Sequence, residues 1–203
     1  GPPGTGKTSM IKSIASTLDC DLYILPITKD LVDNDIVDAF SYINEKEDKE
    51  RIVVIEDVDT LFEDRKVRDS QNGITLQGLL NCMDGSTSME GTMLFITANR
   101  PEVLDFAMIR SCRIDRKFEL TYADEFQTRN MFTRFFPTQT DSFQEFYRSI
   151  QHKDYTTAML QEFFFYNRDS ESIVGLLDEF HQIITQNDPK SFEVLKDENK
   201  NCY

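Results

Sequence analysis

Gly1-Pro2-Pro3-Gly4-Thr5-Gly6-Lys7-Thr8 opens the chain and decides its fold. The stretch satisfies G-x-x-x-x-G-K-[ST], a pattern in which each fixed residue has a physical duty. Glycines let backbone N–H groups turn inward around phosphates, and the helix that follows presents its positive N-terminus to the same anion. In this pattern Lys7 neutralises the β and γ phosphates, and the Thr8 hydroxyl completes the shell of a Mg2+ ion. Gly1, Pro2, Pro3, Gly4, Thr5, Gly6, Lys7 and Thr8 are thus the candidate ATP-binding residues, with Thr8 also a metal ligand. Directly behind them Met10, Ile11, Ile14, Ala15 and Leu18 recur at helical spacing, which predicts a helix over Lys7–Leu18 with one buried stripe. A phosphate loop hangs from the end of a buried strand, so a central strand is expected ahead of Gly1.

Further along, four apolar segments read as strands: Leu22–Ile27, Ile52–Ile55, Met93–Thr97 and the shorter Lys117–Leu120. The first three are near-continuous apolar runs, as in a parallel sheet covered on both faces. Helical stretches separate them at Asp35–Ile43, Ile74–Met83 closed by Gly85, and Leu104–Ile109. The charged stretch Glu63–Gly73 reads as a surface loop. The fold class is therefore α/β, a parallel P-loop NTPase sheet lacking its first central strand, with helices on both faces. From Asp124 onward no strand is convincing. Asp124 and Gln127 suggest a capping box ahead of Phe126, Met131, Phe132, Phe135 and Phe136, and Pro137 ends that helix. Further helices are expected over Ser142–Ile150, Thr157–Tyr166 and Ser170–Ile184, making a small all-helical bundle whose run Phe163–Tyr166 reads as core packing. The expected domains are residues 1–121, 122–186, and a polar tail over 187–203.

Two strand ends carry the candidate chemistry. Ile52-Val53-Val54-Ile55-Glu56-Asp57-Val58-Asp59 is an apolar strand that ends in carboxylates, and ligands of open α/β sheets sit at that edge. Glu56 is assigned to the Mg2+ shell, and Asp57 to the water that attacks the γ phosphate, although its side chain is one methylene short for that role. The strand over Met93–Thr97 delivers Asn99 to the same edge, where an amide can bond both the γ phosphate and the attacking water. Arg110 and Arg113 lie three residues apart, a spacing at which two guanidiniums can point together at a neighbouring subunit's phosphate.

Composition narrows the classes. The 203 residues, 39% of them hydrophobic, suffice for one real core and a small satellite. A net charge of −14 repels phosphate backbones and anionic headgroups, so no nucleic-acid partner is expected. No apolar run approaches the length of a membrane span. The four cysteines, Cys20, Cys82, Cys112 and Cys202, have neither zinc-like spacing nor disulfide density, which fits a reducing compartment.

Loop, acidic strand end, Asn99 and paired arginines occur in the order that defines the AAA ATPase module, and the chain resembles that superfamily. More narrowly it resembles the mitochondrial inner-membrane chaperones that insert the Rieske iron-sulfur subunit into respiratory complex III. That resemblance rests on Gly1–Thr8, Val53–Asp59, ITLQGLLNCMDG at Ile74–Gly85, Thr97–Asp115 and YTTAMLQEFFFYNRD at Tyr155–Asp169. Glu-Asp in place of the superfamily's Asp-Glu is typical of that family; Ser111-Cys112 stands where it has Pro-Gly. The resemblance implies a helical lid that closes over nucleotide, a homo-oligomeric ring, a protein client, and membrane contact only through a segment N-terminal to this sequence, with the mitochondrial inner membrane as the implied location. Lys29–Asp35 lacks the aromatic-apolar-Gly signature of polypeptide-threading machines, which suits a chaperone moving a folded client. The competing reading is a nucleotide-binding scaffold with little or no turnover, motivated by Asp57 and Ser111-Cys112. A zinc-bearing membrane protease is disfavoured, because His152 and His181 are too far apart for His-Glu-x-x-His.

Overall fold

Ile52, Val53, Val54 and Ile55 are each at most 1% exposed, because the strand they form has neighbours on both edges and helices on both faces. The computed structural model describes residues 1–28, 31–45, 49–60, 74, 78–79, 81, 91–104 and 114–187. They fall into two units, Gly1 with Lys7–Glu119, and Pro2–Gly6 with the chain from Leu120.

In the first unit β1 (Asp21–Leu25), β2 (Arg51–Ile55) and β3 (Thr92–Ile96) form a parallel sheet in that order. Leu22 pairs with Ile52 and Ile52 with Met93; two residues on, Ile24 pairs with Val54 and Val54 with Phe95. Alternate residues of β2 point to opposite faces. Ile52 and Val54 pack with Ile11 and Ala15 of α1 (Lys7–Leu18), whereas Val53 packs with Ile36, Phe40 and Ile43 of α2 (Asp33–Asn44). Double coverage explains why the strand reads as an unbroken apolar run. β1 stops one residue before Pro26, which has no N–H to give a ladder. α2 begins two residues earlier than its apolar stripe suggests, since the Asp35 carboxylate accepts the Val32 N–H at 2.8 Å and caps the first turn.

Lys117–Leu120, expected as a strand, is not one. It pairs with no described strand, and Phe118 is 72% exposed, so the segment gains neither a ladder nor the burial that a strand of this sheet has. Of the helix expected over Ile74–Met83 only Ile74, Gly78, Leu79 and Asn81 are described; Leu79 is fully buried against Ile55 and Val58. The surface loop over Glu63–Gly73, the helix over Leu104–Ile109 beyond its first residue, and the tail from Asp188 lie outside the described residues.

The second unit is helical: α3 (Glu125–Phe135), α4 (Phe143–Ile150), α5 (Thr157–Tyr166) and α6 (Leu177–Gln186). Asp124 accepts the Gln127 N–H at 2.7 Å, and the Gln127 side chain accepts the Asp124 N–H at 3.2 Å, so the capping box forms as expected. The core is a cluster of rings, Phe163 on Phe180 at 5.0 Å and Phe136 edge-on to Phe164 at 5.2 Å, in the geometries that aromatic quadrupoles favour. Leu160, Phe163 and Phe164 share one helical face and are buried, whereas Phe165 and Tyr166 turn off it and are 55% and 77% exposed. Core packing therefore accounts for only half of that aromatic run. The helix expected from Ser170 starts only at Leu177: the Gln139 side chain bonds both Ser170 O, at 2.8 Å, and the Ile173 N–H, at 3.1 Å, which diverts the backbone, and Gly175 weakens helix further.

Tyr155 sits at the centre of this bundle, 1% exposed. Thr128 Oγ1 donates to Asp124 O at 2.6 Å, so the Tyr155 hydroxyl must be the donor in its 3.0 Å bond to Thr128. Burial pushes its pKa up to about 12 from an ordinary 10. The folded state thus keeps a proton that the unfolded chain releases near pH 10. Its stabilising contribution is whole below that pH and is lost as pH rises to about 12, a fall of roughly 2–3 kcal/mol. An ultraviolet phenolate titration should show one tyrosine ionising late, and Tyr155→Phe should remove that step; ionisation of all tyrosines near pH 10 would refute it.

Candidate nucleotide-binding site

Adjacent parallel strands bring their C-terminal ends to one edge, and here β2 and β3 leave the sheet locked together. The Thr97 N–H donates to Ile55 O at 2.9 Å, the Val58 N–H to Thr97 O at 3.0 Å, and the Asp57 N–H to Thr97 Oγ1 at 2.9 Å. Glu56, Asp57 and Asn99 are therefore neighbours, although 42 residues separate the last two. α1 brings its first residues to the same place. The Thr8 hydroxyl donates to Glu56 Oε1, and Lys7 Nζ donates to Gly1 O at 2.8 Å and to Asn99 Oδ1 at 2.7 Å. The Asn99 amide then donates to Asp57 Oδ1 at 3.0 Å.

Two groups result. One is a line from the Lys7 ammonium through the Asn99 amide to the Asp57 carboxylate; the other is the Thr8–Glu56 pair. Burial lowers the Lys7 pKa, opposed by the charges of Asp57 and Asp59. A partly desolvated ammonium of this kind gains from an incoming anion. Asp57 is held at φ 49°, in the left-handed region that few side chains adopt, and Thr60 bonds the Asp57 carbonyl through both its N–H, at 3.0 Å, and its hydroxyl, at 2.8 Å.

Asp59 plays a part that its sequence does not announce. It is 1% exposed, and its two carboxylate oxygens accept the N–H groups of Asn99 and Arg100, each at 3.1 Å. These charge-assisted bonds fix the turn that presents the Asn99 amide. Thr97, which joins the two strand ends, was likewise legible only as the last residue of a strand. Burial would have been the signal for both, and a run of acids and a terminal threonine do not reveal it.

Thr8 and Glu56 place two hard oxygens side by side, and no set of three His, Cys, Asp or Glu among the described residues forms a metal cage. Mg2+ takes one or two protein oxygens and fills its octahedron with phosphate and water, so the pair suits that ion. The phosphate-loop residues Pro2–Gly6 group with the helical unit. Within them Thr5 Oγ1 donates to Pro2 O at 2.9 Å, and Gly4 and Gly6 take φ of 78° and 91°. Only glycine adopts such values freely. Arg110 and Arg113, with Ser111-Cys112 between them, lie outside the described residues.

Residues 1–122 match the family model described as "ATPase family associated with various cellular activities (AAA)". The chain belongs to the AAA ATPase family. Residues 125–174 of this AAA protein match the ATPase lid domain of mitochondrial chaperone BCS1-like proteins, so the parallel sheet and the helical bundle are an AAA core and its lid. It is 37% identical over 175 residues to a probable mitochondrial chaperone bcs1 of Schizosaccharomyces pombe, covering 84% of this chain and 38% of that one. Probable mitochondrial chaperone BCS1-A of Dictyostelium discoideum is 36% identical over 151 residues (70% and 35%), and human mitochondrial chaperone BCS1 is 33% identical over 152 (71% and 36%). The AAA domain is thus closely related to the BCS1 family, and the chain spans less than two fifths of the length of these relatives. Among the described residues no helix is long and apolar enough to cross a membrane.

Asp59→Ala in an AAA site built this way strips the Asn99 and Arg100 N–H groups of their shared acceptor. It should lower ATP turnover by at least about 10- to 100-fold, the range of a single lost charge-assisted hydrogen bond, with nucleotide affinity nearly unchanged. Steady-state kinetics alongside a direct nucleotide titration checks this, and equal losses in both would point to general misfolding.

Proposed function

We propose that this AAA module is an Mg2+-dependent ATP hydrolase that couples turnover to motion in a homo-oligomeric ring acting on a protein client. Residues 1–121 serve as its core, 122–186 as its lid and 187–203 as a polar tail. The observation that carries the reading is the line Lys7–Asn99–Asp57 beside the Thr8–Glu56 pair, because it separates the groups that meet the γ phosphate from those that meet the metal. The Lys7 ammonium gives up its bond to Asn99 for the β and γ phosphates. The freed Asn99 amide then reaches the γ phosphate and the attacking water, and Asp57 orients that water and takes its proton. Thr8 and Glu56, already side by side, would hold Mg2+. When bound, the ion draws charge from the phosphate oxygens and steadies the leaving group. Arg110 and Arg113, three residues apart in the sequence, are assigned as arginine fingers toward the triphosphate of a neighbouring subunit. A chaperone role and a mitochondrial location are carried over from the names of the relatives, which are mitochondrial chaperones.

Glu56→Gln tests the metal half of this reading. Removing one charge from a group that orients metal-bound water should raise the Mg2+ concentration for half-maximal ATPase activity about 10- to 100-fold. An unchanged magnesium dependence would assign the metal elsewhere. Turnover by the full-length oligomer also separates a hydrolase from a nucleotide-binding scaffold, which would bind ATP and release it intact.

A further inference from the structure

A phosphate loop works only if its N–H groups face the anion, which requires its carbonyls to be held the other way. Three carbonyls of this loop have identified partners. Lys7 Nζ takes Gly1 O, Thr5 Oγ1 takes Pro2 O, and Gly4 O accepts two bonds from the start of α5, the Ala158 N–H at 3.1 Å and the Thr157 hydroxyl at 3.2 Å. These last two contacts span more than 150 residues of sequence. They also suit the helix. Thr156 Oγ1 accepts the Met159 N–H at 3.3 Å, and the Gly4 carbonyl satisfies the Ala158 N–H, so two donors that the first turn leaves orphaned are capped, one of them by the loop. A carbonyl oxygen carries partial negative charge, and the helix N-terminus is the positive end of its dipole.

The consequence follows from peptide geometry. In a trans peptide the C=O and N–H point in opposite directions, and no cis bond is present. Tying Gly4 O to α5 therefore turns the Thr5 N–H away from α5, and the neighbouring glycines at positive φ give the alternation that makes successive N–H groups converge on an anion. The fit leaves no room for a side chain. A Cβ on Gly4 would stand 3.0 Å from Thr156 Oγ1 and 3.1 Å from Ala158 Cβ. We propose that Thr157 is a positioning residue for nucleotide binding: with the Ala158 N–H it holds the Gly4 carbonyl outward and so presets the phosphate-binding N–H of Thr5 before ATP arrives. The lid helix thereby contributes to affinity through the loop, without itself touching phosphate. This inference rests on reading Gly1–Thr8 as an ATP-binding loop.

The test is direct titration of the full-length protein with Mg·ATP, comparing wild type, Thr157→Val, which keeps the shape and loses the donor, and Thr157→Ser, which keeps the donor. Thr157 is half-buried, so valine should leave the nucleotide-free melting temperature unchanged. Thr157→Val should weaken binding about 3- to 10-fold, the range of one neutral hydrogen bond, and Thr157→Ser should restore it to within about twofold. If wild type binds and Thr157→Val binds equally well, the positioning role is overturned while the ATP site stands. Equal weakening by valine and serine also overturns it, since the hydroxyl would then not be the active group. Failure of wild type to bind at all overturns the ATP site and the inference together.

Discussion

Asp57→Asn should lower the turnover number about 10²- to 10⁴-fold and leave ATP affinity within a few-fold of wild type, the effect of removing a general base from a site that is otherwise whole. The substitution is close to a pure subtraction of charge and basicity. Asparagine tolerates the left-handed backbone that φ 49° demands, and it keeps an oxygen to accept the Asn99 amide now bonded at 3.0 Å. The Asp57 N–H bond to Thr97 Oγ1 and the Thr60 bonds to its carbonyl involve main-chain atoms and survive. What goes is the carboxylate that can accept a proton from water. Single-turnover hydrolysis with a parallel binding titration measures both quantities. Unchanged turnover would remove Asp57 from the reaction; loss of binding and turnover together would make it a phosphate-site residue.

Lys7→Met carries the largest expected effect on binding. Methionine is unbranched and comparable in length, so the packing of the stem is kept and the ammonium alone is lost. That ammonium is already partly stripped of water, as its lowered pKa records, and its hydrogen bonds run to Gly1 O and Asn99 Oδ1. Truncating a buried hydrogen-bonded charge costs about 2–5 kcal/mol, equivalent to a loss of affinity of roughly 30- to 5,000-fold. Isothermal titration with Mg·ATP reads this directly. A change below about threefold would mean that the phosphates bind elsewhere.

How much of this was written in the sequence depends on whether the cause was local. The phosphate loop and α1 are local, since a glycine pattern and an apolar stripe follow one another without a gap. β2 was legible because burial on both faces leaves only Ile52, Val53, Val54 and Ile55 as acceptable residues. The capping box at Asp124 and Gln127 is likewise a matter of three residues. Misreadings came where distant groups decide. Gln139 captures the backbone at Ser170 and Ile173, a choice invisible to the periodicity that predicted a helix there. Lys117–Leu120 has the composition of a strand, yet a strand exists only through its partner, and none of the described strands pairs with it. The same logic hid parts of the site. Glu56, Asp57 and Asn99 were recognisable from their places at strand ends, but Asp59 was one more acid in a run of them until its burial and its bonds to Asn99 and Arg100 appeared. The contact of Gly4 with Thr157 and Ala158 joins opposite parts of the chain, and no spacing rule foretells it.

The most direct measurement of the central claim is calorimetric titration of the full-length protein with ATP in the presence and absence of Mg2+. Saturable binding with a Kd between about 1 μM and 1 mM, tighter with magnesium and weakened at least about 30-fold in Lys7→Met, is the predicted result. No heat of binding from ATP at any magnesium concentration, in a protein shown to be folded, would contradict it.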